Sequence, residues 1–441
     1  MNQNTIITLA LSLMTSMLSA QVLNESNKLT APDGAAEDEY GQAVAISGAR
    51  ALIGAPFDDD FGDDSGSVYV RSGQQSFKLN ASDASAGDRF GWSVAVSGSY
   101  AIVGAPYDTD DGFGTGAAYV FDLSTGQELY KLLAQVPDGG DYFGISVAMD
   151  GNVAIIGADG ADDFGTASGA AYVFDLTTGL QIHKLTATLG ATQDHFGASV
   201  DIEGNLAVIG AYGDGLATSN YGAAYIFDVV TGQELHKLVA SDADDEDEFG
   251  YAVAMSGNSA VIGAWKNDDQ GTETGSAYIF NVNTGTELHK LTASNASGSD
   301  YFARSVAADG ELAIIGAPLV GAGGAAYVYD LSTGAEISML VPSDTTAGDW
   351  FSHSVAIDGT NSLVGARFDN DLGNHSGSAY LFNVELCEAD INDDGQLNFF
   401  DVSAFLSAFA SQDSAADFTN DGAFNFFDVS AFLSAFSAGC P

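Results

Sequence analysis

A stretch that recurs along the chain decides the fold, and its second copy reads FGWSVAVSGSYAIVGAP at residues 90–106. Seven units open in this way, with an aromatic residue, a small residue, a variable residue and then Ser-Val or Ala-Val. The units begin at Tyr40, Phe90, Phe143, Phe196, Phe249, Phe302 and Phe351. The four inner spacings are 53 residues, and the outer two are 50 and 49. Such a period indicates an array of equal structural units.

Within each unit the sequence is typical of short β-strands. Apolar segments rich in Val, Ile, Tyr and Phe are bounded by Gly and Asp, as at residues 101–106 and 116–122. No helical stripe is visible before residue 395. Evenly spaced strands without intervening helices predict an all-β fold, a seven-bladed β-propeller with four-stranded blades around a channel.

A Lys-Leu pair marks the fourth strand of each blade. It occurs at Lys78, Lys131, Lys184, Lys237 and Lys290, with Met339-Leu340 as a degenerate copy. The seventh unit has no such strand after it, and an orphan copy at residues 28–31 precedes the first unit. We therefore expect the N-terminal strand to complete the last blade, which closes the ring and removes an open sheet edge.

The Phe-Gly and Gly-Ala-Pro signatures resemble FG-GAP repeats, the units of the propeller at the head of integrin alpha chains. The resemblance covers residues 24–384 and implies a binding or adhesion propeller. Integrin-type repeats carry a calcium loop before the Gly-Ala-Pro strand, but here that connection has two or three residues, as at 150–152. Acidic side chains cluster after the Gly-Ala instead, either as calcium ligands or as solvated loop charge. These clusters are residues 58–60, 108/110/111, 162/163 and 369/371.

Charge and the N-terminus bear on location. The chain has 60 acidic and 12 basic side chains, a formal charge of −48, which argues against binding nucleic acid or anionic membranes. An apolar run at residues 6–18 followed by Ser19-Ala20 predicts a signal peptide at 1–20. The run is too short to span a membrane. We expect a protein secreted to the extracellular space or cell surface.

Residues 385–441 contain two loops with the spacing of an EF-hand calcium site. Oxygen-bearing side chains stand at positions 1, 3, 5, 9 and 12 of each loop, glycine at 6, and position 7 offers its backbone carbonyl. The predicted ligands are Asp390, Asn392, Asp394, Gln396, Asn398 and Asp401 in the first loop, and Asp417, Thr419, Asp421, Ala423, Asn425 and Asp428 in the second. The sequence therefore predicts two Ca²⁺ sites.

This tandem of loops and helices resembles a type I dockerin, a small calcium-dependent module that attaches exported proteins to cohesin domains. Cys387 and the terminal Gly-Cys-Pro make it similar to the GC-terminated dockerins of bacterial surface proteins. The resemblance implies a cohesin-like or other surface docking protein as partner. In an oxidising compartment we expect a disulfide between Cys387 and Cys440, with a link from Cys440 to another molecule as the alternative.

Each loop runs into the same twelve residues, NFFDVSAFLSAF, at 398–409 and again at 425–436. On a helix, Phe399, Val402, Phe405, Leu406 and Phe409 fall within one arc, which predicts a core stripe. Phe400 projects away from that arc, and Phe427 does the same in the second copy. We interpret both as partner-binding anchors. The alternative is that Phe400 packs against the sister helix.

The residue after each Phe-Gly pair varies while its neighbours do not. The seven are Gln42, Trp92, Ile145, Ala198, Tyr251, Arg304 and His353. If this strand lines the channel, these side chains form a ring near its mouth that suits a polar or sugar-like ligand. The alternative is a set of tolerant positions at a rim.

No pattern of catalytic residues is visible. His183, His236 and His289 recur at 53 residues in the Lys-Leu strand and are interpreted as scaffold positions. We predict a non-catalytic binding or adhesion propeller, with a protein or glycan ligand, attached through a calcium-dependent dockerin. The alternatives are a dockerin-borne component that degrades or binds polysaccharide, and a structural surface-layer protein.

Overall fold

The computed structural model describes residues 21–73, 75–110, 112–215, 220–384, 389–391, 397–419 and 422–438. Contacts divide the chain into two compact units, of which one is Val22–Asn383 and the other includes Val384–Pro441. The predicted signal peptide at 1–20 lies outside the described residues, as do Cys387 and Cys440.

The first unit contains seven antiparallel sheets, which are the blades of a propeller. Blades 1 to 3 consist of β3 (Val44–Ser47), β4 (Arg50–Ala55), β5 (Ser67–Ser72) and β6 (Gln75–Leu79); β7 (Ser93–Ser97), β8 (Tyr100–Ala105), β9 (Ala117–Asp122) and β10 (Gln127–Leu132); and β11 (Val147–Asp150), β12 (Val153–Ala158), β13 (Ala170–Asp175) and β14 (Leu180–Leu185). Blades 4 and 5 consist of β15 (Ser199–Glu203), β16 (Leu206–Ala211), β17 (Ala223–Asp228) and β18 (Gln233–Leu238); and β19 (Phe249–Ser256), β20 (Ser259–Ala264), β21 (Ser276–Asn281) and β22 (Thr286–Leu291).

The last two blades also use the N-terminal strands β1 (Gln21–Leu23) and β2 (Asn27–Leu29). Blade 6 consists of β23 (Ser305–Asp309), β24 (Leu312–Ala317), β25 (Ala325–Asp330) and β26 (Glu336–Leu340), with β1 as a fifth strand. Blade 7 consists of β27 (Phe351–Asp358), β28 (Asn361–Ala366) and β29 (Ser378–Asn383), with β2 as its outer strand. Strand β2 pairs antiparallel with β29, Lys28 opposite Tyr380, as the count of Lys-Leu pairs predicts.

Packing between blades explains the Phe-Gly repeat. Phe90 is fully buried between blades 1 and 2, where its ring meets Tyr119 edge-on at 5.5 Å and Phe121 at 5.8 Å. The glycine that follows has φ of 96°, and a side chain on it would collide with the carbonyl oxygen of Ser67 at 2.5 Å. The first strands of successive blades contact one another around the ring and return from β27 to β3. These first strands are therefore the innermost strands.

The recurring histidines have a structural role in the described chain. Nε2 of His183, His236 and His289 lies 3.1 Å from a backbone carbonyl of the next blade in each case. Tyr130 occupies the same place and donates its hydroxyl to the carbonyl of Thr177 at 3.2 Å. The scaffold interpretation is consistent with these contacts.

The second unit contains two helices of equal length, α1 (Phe399–Ser411) and α2 (Phe426–Ala438), and a short 3-10 turn at Ser414–Ala416. Helix α1 begins with a capping box, in which Asn398 accepts from the backbone of α1 and Asp401 accepts from the N–H of Asn398 at 2.7 Å. The rings of Phe405 and Phe432 stack at 4.1 Å and are both buried.

The predicted core stripe of these helices is partly wrong. Phe399 is 75% exposed and Leu406 is 56% exposed, and their copies Phe426 and Leu433 are exposed as well. The core is a narrower stripe, because the two helices meet along the Phe405–Phe432 stack, with Phe418 packed edge-on against both rings. When a helix packs against only one small neighbour, less of its surface is covered than the width of its apolar arc suggests.

Candidate binding face at the channel mouth

The seven predicted ring residues lie at or just before the start of the innermost strands. They are therefore at one mouth of the channel, which we call the mouth face. Tyr251, Arg304, His353 and Gln42, in neighbouring blades, join one contact network, and Trp92 belongs to another. Ile145 and Ala198 take part in neither network, so the structure brings together four of the seven and places Trp92 in a separate group.

A buried turn positions the mouth face. An aspartate two residues before each repeat aromatic is buried in all seven blades, and Asp88 accepts the N–H of Ser85 at 2.7 Å. The residue between that aspartate and the aromatic has a left-handed backbone, with φ of 55° at Arg89 and Trp350. Non-glycine residues in this conformation are strained and cluster at functional sites. Burial raises the pKa of Asp88 and of its equivalents Asp38 and Asp194 to about 6.

Arg304 is enclosed by three aromatic rings. Its guanidinium carbon lies 5.2 Å from the ring centre of Tyr251, 5.0 Å from Trp265 and 5.4 Å from Trp350. This is cation–π geometry, in which the negative faces of the rings stabilise the guanidinium. All these side chains are half-buried.

Next to this group lies Arg367, which is paired. It donates from Nη1 to Oε1 of Gln42 at 2.8 Å, lies 3.6 Å from Glu39, and stacks 4.3 Å over Phe368. Burial, and then the charges of Arg367 and Arg304, lower the pKa of His353 well below its ordinary value. His353 is therefore neutral at physiological pH.

On blades 1 and 2, a second group surrounds Arg89. Its guanidinium carbon is 4.8 Å from the Phe57 ring and 4.5 Å from Tyr107, and Trp92 meets both rings edge-on. Unlike Arg304, Arg89 has a carboxylate partner, Asp64, at 3.6 Å. Between the two groups, His195 stacks on Tyr212 at 4.7 Å and borders a cavity of about 300 Å³ that Asp159 also lines.

Sequence reasoning missed two further positions in each blade. These are the residue before the repeat aromatic, such as Arg89 and Trp350, and the residues that follow Gly-Ala, such as Tyr107 and Trp265. The signal that reveals the ring also applies to them, because they vary among blades while their neighbours do not. All three tryptophans of the chain belong to the mouth face.

The acidic clusters after Gly-Ala surround lysines, in a group that we call the Lys-Asp clasp. In blade 1, Nζ of Lys78 lies 3.3 Å from Asp33, 2.7 Å from Asp58 and 2.5 Å from Asp60. The hydroxyl of Tyr69 donates to Asp33 and Asp58 as well. Burial lowers the pKa of Lys78, but its hydrogen bonds to the aspartates outweigh burial and the net pKa is raised. The other clasps are centred on Lys28, Lys131, Lys184, Lys237 and Lys290.

In the second unit, the position-12 aspartates of the two loops are fully buried. Asp428 accepts the hydroxyl of Thr419 at 2.8 Å and the N–H of Asn425 at 2.8 Å. Oδ1 of Asp401 is buried and has no hydrogen-bond partner among the described residues. The predicted ligands Asn392, Asp394, Gln396 and Asp421 lie outside the described residues. Within the described residues there is no cluster of three or more His, Cys, Asp or Glu side chains suited to a metal.

The seven sheets and the packing of their first strands around the ring define a seven-bladed β-propeller. The FG-GAP repeat model matches seven segments, at residues 23–71, 74–121, 127–174, 180–227, 233–280, 286–329 and 335–382. The chain therefore belongs to the FG-GAP repeat family, whose propellers are binding or adhesion modules. No curated protein matches the chain. Across the described part of the chain, no helix has the length and apolar character needed to cross a membrane.

Proposed function

We propose that this protein is a secreted, non-catalytic adhesion or binding protein that holds a ligand at the mouth face and is attached by a calcium-dependent docking module. The apolar run at residues 6–18 supports export. The observation that carries the binding function is the concentration of all three tryptophans, Trp92, Trp265 and Trp350, at one end of the channel. Half-exposed aromatic rings beside a few polar groups are typical of sites for small polar ligands or sugars.

The calcium function is supported by the charge of the second unit. Residues 384–441 contain ten acidic and no basic side chains. A buried carboxylate without a cation is costly, and the partnerless Oδ1 of Asp401 fits a metal ligand. Asp401, Asp428 and the other loop oxygens are the hard ligands that calcium prefers. When bound, calcium supplies the positive charge that stabilises the two loops.

The docking function rests on two exposed aromatic pairs. Phe400 is 67% exposed and Phe427 is 68% exposed. In a unit with so small a core, aromatic rings left on the surface need an explanation other than packing. Because the two helices share their first eleven residues, each offers the same aromatic surface to a partner. A cohesin-like or other surface docking protein is the proposed partner.

The binding function is tested with the full-length chain on immobilised polysaccharides and cell-surface proteins. We expect Trp265→Ala to lower retention about tenfold or more, because a central aromatic anchor is removed. Leu288→Ala, an exposed side chain on an outer strand, is the matched control and should retain the ligand. Equal retention by both variants would show that the mouth face is not the binding site.

Attachment is tested in parallel by calcium-dependent retention on the cell envelope. Phe400→Ser/Phe427→Ser should abolish retention while calcium binding persists, and either single change should have little effect. Release of new reducing ends from a retained polysaccharide would favour the enzyme alternative instead.

A further inference from the structure

Arg304 differs from the other eleven lysines and arginines of the chain, all of which lie among the described residues. Nine have a carboxylate within 4.0 Å: Lys28, Lys78, Arg89, Lys131, Lys184, Lys237, Lys266, Lys290 and Arg367. Arg50 and Arg71 each donate to a backbone carbonyl at 2.6 Å. The side chain of Arg304 has neither an ion pair nor a hydrogen bond within the described chain, and its Nε is buried without a partner.

This arrangement is unexpected in a protein of charge −48. Each guanidinium carries five N–H donors, and ring faces satisfy charge but not these donors. The three rings around Arg304 hold it at the mouth by cation–π contacts, and none of them is hydrogen-bonded to its guanidinium. Two oxygen atoms of an incoming ligand therefore meet N–H donors of Arg304 that are already held in place, because the aromatic contacts restrict the side chain.

The neighbouring carboxylates do not compensate Arg304. Glu39 is 3.6 Å from Arg367, and Glu248 accepts from Trp265 at 2.7 Å and from Lys266 at 2.5 Å. Both acids are thus engaged by other groups. The charges of Arg304 and Arg367 both act on His353, which places two guanidinium groups beside one neutral imidazole.

We propose that Arg304 recognises the carboxylate of an acidic sugar, a uronic acid, at the mouth face. This inference rests on the proposed binding function and assigns its ligand class. A carboxylate matches the guanidinium fork in a planar, two-bond geometry that a hydroxyl does not offer. The flat rings of Tyr251, Trp265 and Trp350 favour a rigid sugar ring over a flexible acidic peptide, whose side chains lose more freedom on binding.

The long-range charge of the protein does not prevent this. At about 0.15 M salt the screening length is about 8 Å, so distant acidic loops act weakly on a ligand at Arg304. Contact with Arg304 occurs within that distance. Rising salt should therefore weaken binding of the acid form and leave a neutral form unchanged.

The test is isothermal titration of the full-length protein with oligosaccharides of galacturonate, glucuronate and mannuronate, each compared with its methyl ester. The ester keeps the sugar ring and removes the charge. We expect at least one acid form to bind about tenfold or more tightly than its ester, a difference of about 1.4 kcal/mol. Arg304→Gln should remove that difference by weakening binding of the acid more than binding of the ester.

Arg50→Gln is the matched control, because Arg50 is a basic side chain outside the mouth face that donates to the backbone carbonyl of Gly98. It should alter affinity for the acid less than about twofold. Arg304→Lys keeps the charge, loses the fork and should be intermediate.

Equal binding of acid and ester would overturn the uronate inference while leaving the proposed binding function intact. Tighter binding of hexaglutamate than of any uronate would also overturn it, in favour of an acidic peptide. If no uronate binds but Trp265→Ala still abolishes retention of another ligand, the inference fails and the mouth face stands.

Discussion

The two units of this protein hold buried carboxylates in different ways. In the propeller, Lys78 lies within 3.3 Å of three aspartates, and similar clasps recur in five other blades. In the second unit, Asp401 and Asp428 are fully buried and residues 384–441 contain no basic side chain at all. The propeller supplies its own cation, whereas we propose that the second unit takes one from outside.

Blade 6 shows that the lysine and the aspartates of the Lys-Asp clasp are replaced together. Its lysine is replaced by Met339, and the three positions that hold aspartates around Lys78 are occupied by Asn295, Val320 and Ala322. Charge and countercharge have changed together, since either alone would leave a buried charge without a partner. Acidic residues at irregular spacing therefore indicate a metal site only where no lysine recurs in register with them.

The largest expected effect is that of chelation. With EDTA, hydrogen exchange should accelerate throughout α1 and α2, because the loop carboxylates repel one another and the small core cannot hold the unit alone. Peptides from the propeller strands should keep their protection. Mass spectrometry of the full-length protein measures both units in one sample.

Asp428→Asn is a variant control for that experiment, because it weakens one loop without removing calcium from solution. Faster exchange in the propeller strands with EDTA would show that the clasps need calcium as well. Unchanged exchange in both helices would break the comparison, since the second unit would then tolerate its buried carboxylates without a metal.

Much of the fold could be predicted from the sequence, because a seven-fold repeat reports strand order seven times. The fifth strand of blade 6 could not, since Gln21–Leu23 is three residues long and has no counterpart in the other units. The exposure of Phe399 and Leu406 was also missed, because helical projection locates an apolar arc but not how much of it a partner covers. At the mouth face, the variable residue after Phe-Gly revealed one ring of positions. The aromatic surroundings of Arg304, which has no carboxylate partner, could not be predicted because they depend on contacts between blades.

A smaller effect is expected from breaking one clasp. Lys78→Met leaves Asp33 and Asp58 without a cation and should destabilise the propeller by on the order of 3 kcal/mol. Chemical denaturation followed by near-ultraviolet circular dichroism measures the change. Added calcium should partly restore this variant, because three carboxylates now face one another, and we expect it to leave the stability of the wild-type propeller unchanged.

The matched control copies blade 6 into blade 1. Lys78→Met/Asp58→Val/Asp33→Asn removes charge and countercharge together, so it should recover at least half of the stability lost by Lys78→Met alone. A triple variant as unstable as the single one would mean that the lysine stabilises by packing on Tyr69 and not by balancing charge.

The smallest effect concerns a carboxylate with neither a lysine nor a metal. Asp201 on β15 accepts from the N–H of Met255 at 2.8 Å and of Ile202 at 2.8 Å, in a position where the other six blades have alanine. Burial raises the pKa of Asp201 to about 7, against these hydrogen bonds, which favour the charged form. Its protonated form is thus favoured by folding.

A raised pKa in the folded state gives stability that is present at low pH and is lost as pH rises through about 7. Asp201→Asn keeps an acceptor for Met255 and cannot ionise, so at pH 8 it should be more stable than wild type by roughly 1–2 kcal/mol. The difference should fall to near zero at about pH 3, where Asp201 is protonated in both the folded and the unfolded state. Thermal unfolding of both proteins at the two pH values separates this group from Asp38, Asp88 and Asp194, whose contributions titrate near pH 6 in both. If the two proteins unfold alike at pH 8, backbone hydrogen bonds alone hold a buried carboxylate here, and a cation is not the general requirement that the two units suggest.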